Sequence, residues 1–541
     1  MGSALKKAEW AAGIVLTLVV VALHLLAATS AGGLWRDEAN TVGLATLPAL
    51  GDVWKNLQYD SFPILWLLIV RWFARVVGPM NDPAFRTLGF VVGVSVVGAL
   101  WFTARTFRHS VPLVSLALLG MSPSLILWGD SMRAYGFGIL VILLTGALLW
   151  RFVERPGAGR FAAAALMAIA SVHALYYNAV LLLAFAAGAV AVCALNRQWR
   201  TSALVALIGV LAAASLAPYA GTIRDASSWN MLVQIPGYNP VWFWTKLNEA
   251  LSPGGAWSLI VWTEVVVLAL IGGVRAVRYP SRFGLSQTQR EVALFSGVTL
   301  VAGVVGIFLF LDVLSYYTQP WYYLTLLALT GVCVDSLLGA LLNSPRARTA
   351  RLVGALLITA ATLFPALRSV RTRLTNVDLI AARLGTTARP HDVVLVNEWP
   401  SGITFARYYR GSAAWVTIPP ISFFRFHRFD RFKKQLLEPN PATPIRPVME
   451  LAGEALRSGH RVFIVGGLAF QPGGLKQGLL GAPRLPTREW TEATDYRGWS
   501  STIGYFLQRH ATTLETLPVS VPQTVSRYEN LSLMVAQGWR P

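Results

Sequence analysis

LWRDEANTVG (34–43) follows closely on AAGIVLTLVVVALHLLAAT (11–29), and the reading of the whole chain turns on that junction. The apolar run is long enough to cross a bilayer as a helix. The stretch after it sets Asp37 and Glu38 side by side at the helix mouth. Carboxylates that close to hydrocarbon are costly, so they point to a working site. The run is too long for an ordinary signal core and leads straight into this acidic loop, so we read it as a retained first span.

Composition extends that reading. Of 541 residues, 55% are hydrophobic and 13% are charged, against about 25% charged in a soluble domain. We expect eleven spans, near 11–30, 87–104, 111–128, 136–152, 161–173, 177–195, 201–218, 256–274, 291–311, 320–341 and 352–367. The net charge of +20 could suggest nucleic acid, but its distribution argues for a membrane topology. One set of loops holds Lys6 and Lys7, Arg105 and Arg108, Arg151, Arg155 and Arg160. It continues with Arg197 and Arg200, Arg275, Arg278, Arg282 and Arg290, then Arg346, Arg348 and Arg351. The opposite short loops, 129–135, 174–176 and 312–319, hold Arg133 alone. The positive-inside rule then puts the N-terminus in the cytoplasm and 31–86, 219–255 and the C-terminal region outside. FPILWLLIVRWFARVVG (62–78) is apolar but broken by Arg71 and Arg75. Counting it as a span would invert every later loop, so it reads as an amphipathic helix in the outer interface. Cys193 and Cys333 both fall in apolar runs and read as packing residues.

Near residue 368 the pattern changes, dividing the chain into a membrane domain, 1–367, and a C-terminal domain, 368–541. HDVVLVNE (391–398), AAWVTIP (413–419) and HRVFIVGG (460–467) read as short buried strands, with SGITFARYYRG (401–411) as a helix between the first two. That is an extracytoplasmic α/β domain. It is basic, with 22 Lys and Arg against 12 Asp and Glu, which suits an anionic partner or anionic lipid. Neither GG (466–467) nor PGG (472–474) has the spacing of a phosphate loop; the second lies outside the residues described below.

Three outer-loop elements carry candidate chemistry. Asp37 and Glu38 could accept a proton from a hydroxyl, with basicity tuned by burial and by a nearby cation such as Arg36 or Lys55. Asp60 in YDSFPILW (59–66) is a candidate ligand or a helix cap, and Pro63 suits a first turn. WGDSMRAYG (128–136) crowds Asp130, Arg133 and Tyr135 into one short loop. Arg133 suits a phosphate, and an Asp130–Arg133 pair is the structural alternative. His24 reads as a core residue.

The order of these elements resembles the polyprenyl-phosphate-dependent glycosyltransferases of the GT-C fold. It is most similar to the family 39-like enzymes related to protein O-mannosyltransferases and lipid A aminoarabinose transferases. The matching residues are Asp37 and Glu38 in WRDEA, Asp60 and Pro63 in DSFPILW, and Arg133 and Tyr135 in SMRAY. His173 in SVHALYYN (171–178) resembles the family's His at the outer end of helix five. The resemblance covers roughly residues 10–340 and implies a polytopic α-helical membrane protein of GT-C type. It also implies that a sugar leaves a polyprenyl-phosphate donor for a hydroxyl of a lipid, glycan or protein acceptor, usually with inversion. Asp37 would be the base, and Arg133 would hold the carrier phosphate. Lys55, Arg224 and Lys246 are further basic residues on outer loops. The chain departs from the family at Ile64, where a second Pro is common, at Phe62 in place of His, and at Ser131 in place of Glu. Gln319 or Trp321 stands where a late Arg is common.

We expect no required cofactor. Asp37, Glu38 and Asp130 are the set that could take Mg²⁺ or Mn²⁺. A nucleic-acid partner is not expected. A transporter or flippase is a competing class, though the spans hold few ionisable residues beyond Glu264 and Asp335. A membrane-anchored glycan-binding protein is another.

Overall fold

The computed structural model describes residues 2–108, 111–228, 238–316, 318–342, 344–440, 442–468 and 492–541. Among them, nine helices are long and apolar enough to cross a membrane, from Ala4–Ser30 to Pro345–Ser369. The protein is therefore a multi-pass membrane protein. The other two expected spans depart from a regular long helix. The fifth is Ala158–Ala174, a 17-residue helix, about 25 Å long at 1.5 Å per residue.

The third is broken. Leu113–Ser115 passes into a π-turn at Leu116–Gly120, and a new helix begins at Pro123–Gly129. Pro123 has no N–H and disfavours a helical residue before it. Ser122 is accordingly extended, and its hydroxyl accepts from Leu125 N–H. Asp335, at the other end of the bundle, is neutralised by Arg351 at 2.8 Å and accepts from the Ser115 hydroxyl at 2.8 Å.

Seven helices frame the site. They are α1 (Gly2–Ser30), α2 (Arg36–Ala45), α3 (Ile64–Val77), α4 (Asp82–Thr106), α5 (Pro123–Gly129), α6 (Tyr135–Glu154) and α7 (Ala158–Ala174). The stretch expected to lie in the interface is α3. Its 14 residues reach about 21 Å, short of the roughly 30 Å hydrocarbon core. It buries Trp66, Leu67, Val70, Arg71 and Ala74 against its neighbours.

The C-terminal sheet has five strands in the order β2-β1-β3-β5-β4. These are β1 (Val393–Val396), β2 (Ala414–Thr417), β3 (Val462–Val465), β4 (Ala511–Thr516) and β5 (Leu533–Trp539). β1 pairs in parallel with β2 and β3, while β5 runs antiparallel to β3 and β4. VVLV and VFIV are buried along their whole length, as expected for central parallel strands covered on both faces. The helix Ser401–Tyr408 makes the crossover from β1 to β2.

This domain sits on the bundle end that carries α2. Leu374 N–H donates to Ala31 C=O at 2.9 Å, and Arg407 pairs with Asp82 at the start of α4. Tyr528 enters a cluster with Trp128 and Trp321, which also touch Trp35.

Candidate active site

The site is organised by α2, a ten-residue helix written by RDEANTVGLA. Asp37 and Glu38 lie in its first turn, where the helix dipole and free N–H groups favour negative charge. Glu38 Oε2 reaches back to accept from Trp35 N–H at 3.1 Å, one half of a capping arrangement. Beyond the other end, the carbonyls of Ala45, Leu47 and Pro48 accept from the buried Arg71 guanidinium. The Arg that interrupts α3 thus ties down the chain leaving α2.

Glu38 and Asp37 have different surroundings. The Glu38 side chain is completely buried. Arg86 of α4 grips it with two bonds, Nη1 to Oε1 at 2.6 Å and Nη2 to Oε2 at 2.9 Å. Met132 N–H adds a bond to Oε1 at 2.9 Å. Arg86 also donates to the carbonyls of Gly32 and Gly33. Both Glu38 oxygens are occupied by donors on α4, the 129–134 loop and its own helix start. That geometry corrects the expectation of a catalytic Glu38, because the carboxylate is a buried clamp with no approach for a substrate.

Asp37 faces a more open space, its side chain 24% exposed. Its Oδ1 lies 3.6 Å from Arg36 Nε and 3.5 Å from Nε2 of His427, which comes from the C-terminal domain. Burial alone would raise its pKa. The His427 contact and the charges of Arg133 and Arg36 outweigh that, bringing it from 3.8 to about 2. The acid is ionised at any physiological pH.

Arg133 closes the opposite wall. Its Nη1 donates to Asp60 Oδ1 at 2.8 Å, to the Thr41 hydroxyl at 2.8 Å and to the Asp37 carbonyl at 3.3 Å. Its guanidinium lies 4.2 Å from the Phe62 ring centroid, a cation–π distance. The residue is buried, and its Nε has no hydrogen-bond partner among the described residues. Burial works against its charge, but Asp60 and Asp37 more than compensate. Phe62 stands where the resembling family often has His, and here it packs the cation instead.

The structure brings Asp37, Asp60 and Arg133 together, and the space that the Asp37 side chain faces, with Tyr135 nearby, is the candidate chamber. Tyr135 packs edge-on against Phe62 at 5.2 Å and against Tyr322 at 6.3 Å. Asp130 is turned away. It pairs with His24 of α1 at 2.7 Å, not with Arg133. Its free oxygen lies where a Cβ on Gly93 would come within 2.2 Å, so only glycine fits there. His173 ties α7 to its neighbours through the Tyr219 hydroxyl at 2.9 Å and the Ser215 hydroxyl at 3.1 Å, and no contact joins it to Asp37 or Arg133. Lys246 is paired with Glu249 at 3.1 Å. Lys55 and Arg224 are exposed. Among the described residues no group of three His, Cys, Asp or Glu side chains could hold a metal. Asp37, Glu38 and Asp130 do not converge, because the last two are held by Arg86 and His24.

The sequence reading missed Arg86, His427 and Glu529. Arg86 had a signal, since an Arg abutting the span expected at 87–104 calls for a partner. His427 and Glu529 had none, being distant in sequence and brought in only by the C-terminal fold. Glu529 Oε2 accepts from Arg36 N–H at 3.2 Å and Oε1 from the Thr404 hydroxyl at 2.8 Å. Burial raises its pKa from 4.5 to about 7, against the pull of Arg36.

No protein-family model matches the chain, and no curated protein matches it. Solved structures do. ArnT from Cupriavidus metallidurans in the apo state matches with a TM-score of 0.51 at 14% identity, over 84% of this chain and 92% of that one. The same protein bound to undecaprenyl phosphate matches at 0.50 and 12% identity, with the same coverage. The apo oligosaccharyltransferase of Archaeoglobus fulgidus matches at 0.50 and 10% identity, over 85% of this chain and 69% of that one. This chain has the GT-C fold. In this chain α2 and α3 lie between the spans α1 and α4 at the bundle end that meets the C-terminal domain, and Asp37 stands at the opening of that segment.

Proposed function

We propose that the protein transfers a sugar from a polyprenyl-phosphate donor to an acceptor hydroxyl at the bundle end that carries Asp37. The observation that carries this reading is an ionised carboxylate near a buried guanidinium whose Nε has no partner among the described residues. The GT-C fold supports it, as does the fact that ArnT was solved with undecaprenyl phosphate bound.

The chemistry follows from those groups. The acceptor oxygen forms a bond to the anomeric carbon while the bond from that carbon to the carrier phosphate breaks. The phosphate leaves with the electron pair. Asp37 takes the hydroxyl proton, and the transfer is late, because the hydroxyl becomes acidic only as its new bond forms. Arg133 stabilises charge growing on the phosphate, the kind of preorganised electrostatic support that dominates many enzymes. A bound phosphate also draws on the charge that now depresses the Asp37 pKa, which makes the base stronger when the donor is in place. Attack from the face opposite the phosphate inverts the anomeric centre. Loop charge, by the positive-inside rule, supports placing this chamber on the extracytoplasmic face.

The test is sugar transfer from a synthetic polyprenyl-phosphate sugar by the detergent-solubilised protein. Asp37→Ala and Asp37→Asn proteins that keep the wild-type elution profile should lose transfer. Full activity in both would reject the assignment.

A further inference from the structure

The C-terminal domain sends one short segment into the chamber. His427 reaches Asp37 from there, and the helix receiving it is shaped for the contact. His427 N–H donates to Asn40 Oδ1 at 2.7 Å, one turn along α2 from Asp37. A Cβ on Gly43, a further turn on, would come within 1.8 Å of the Arg425 carbonyl. Only glycine lets the segment lie so close. The imidazole is buried, edge-on to Trp399 at 5.5 Å and beside Phe429 at 5.5 Å. A histidine fixed by its own backbone and by two aromatic rings has little freedom to leave.

We propose that His427 is a positioning residue for Asp37, so that the C-terminal domain completes the active chamber. This rests on the reading of Asp37 as the base. The tautomer follows from the surroundings. Nδ1 is buried and has no partner among the described residues. A bare lone pair costs less there than an unpaired N–H, so the proton sits on Nε2, the nitrogen 3.5 Å from Asp37 Oδ1. Burial, with Arg36 and Arg133 nearby, lowers its pKa against the pull of Asp37, which favours the neutral ring. A neutral donor orients Oδ1 without neutralising it and leaves Oδ2, which has no hydrogen bond among the described residues, to take the substrate proton. Asp37 is also faced by Arg36 on its own helix, by Arg133 and Asp60 from two loops, and by Tyr135 and Tyr322 from two spans. Glu529 lies behind Arg36.

The contact can be read without a known acceptor. Water-soluble carbodiimide with an amine trap modifies protonated carboxyl groups. Labelling of Asp37 in the full-length protein is followed by peptide mass spectrometry at mildly acidic pH. His427→Leu removes the donor and should speed labelling about tenfold for each unit by which the pKa rises. His427→Gln restores an N–H near the Nε2 position and should return labelling to the wild-type rate. His427→Asn places its amide near Nδ1 and should not. Labelling in His427→Leu at the wild-type rate overturns the proposal. So does His427→Gln that labels as fast as His427→Leu, since the effect would then be loss of packing. The two readings fail separately. If the labelling pattern holds but Asp37→Asn still transfers sugar, the base assignment falls. If Asp37→Asn is dead and the labelling pattern is absent, the role of His427 falls.

Discussion

Removing Glu38 should unfold the chamber before it alters any chemistry. Glu38→Ala leaves the Arg86 guanidinium buried with only the Gly32 and Gly33 carbonyls. Breaking a buried ion pair from one side costs about 3–5 kcal/mol. The N–H groups of Trp35 and Met132 also lose their acceptor, each worth roughly 1–3 kcal/mol when left dry. The sum is on the order of 5 kcal/mol or more, comparable with the lower end of the whole margin of a folded domain. Arg86→Ala strands the opposite charge and should cost a similar amount. Glu38→Leu with Arg86→Met replaces the pair by apolar volume, a change often neutral for buried pairs. The double variant should therefore be much more stable than either single loss implies. The assay is a double-mutant cycle of Glu38→Leu, Arg86→Met and the pair by equilibrium unfolding in mixed micelles, with transfer measured on the folded fraction. Additive costs, or an unperturbed Glu38→Ala, would refute the clamp. A folded double variant with no transfer would return Glu38 to a catalytic role.

Other outcomes follow from the same geometry. Glu529 has a folded-state pKa raised from 4.5 to about 7 by burial. Its contribution is complete below about 4.5 and is lost as pH rises through about 7. Protection of the amides around Arg36, after correction for the intrinsic pH dependence of exchange, should fall over that window, and Glu529→Gln should abolish the fall. Gly43→Ala puts a methyl carbon on the Arg425 carbonyl, so protease cleavage near 421–428 should rise several-fold in an otherwise folded protein. Arg133→Lys keeps the charge but not the planar guanidinium that sets Nη1 against Asp60, Thr41 and the Asp37 carbonyl and lies 4.2 Å from the Phe62 ring centroid. Binding of undecaprenyl phosphate, measured by native mass spectrometry, should weaken about tenfold or more; unchanged binding would place the carrier phosphate elsewhere.

Much of the membrane fold was legible because hydrophobic length and loop charge are local signals. Eleven apolar runs and the interruption of 62–78 by Arg71 and Arg75 could be read residue by residue. So could VVLV and VFIV, which are continuous and β-branched. The break at Pro123 was visible as a letter but not as a geometry, since Pro in a span can kink or stop it. Strands β4 and β5 were missed because ATTLET and LMVAQGW are short and mixed, and take their identity from the edge they pair with. The chamber was legible in part. Asp37 and Arg133 stood out as charges in apolar company. Whether Asp130 paired with Arg133 or with His24 depended on which way a short loop turned, and spacing does not encode that. Glu38 beside Asp37 looked equivalent on paper, but successive residues of a helix point about 100° apart.

The partners of α2 have a consequence for biogenesis. Leu34 N–H bonds the Tyr408 hydroxyl, 374 positions later, and Arg36 N–H bonds Glu529, 493 positions later. A ribosome delivers the opening loop to the membrane long before it has made those residues. Through most of synthesis the loop must wait with its donors in water or lipid headgroups. This loop is thus the last part to set, and a stalled or truncated nascent chain would be inserted with the start of α2 unsecured.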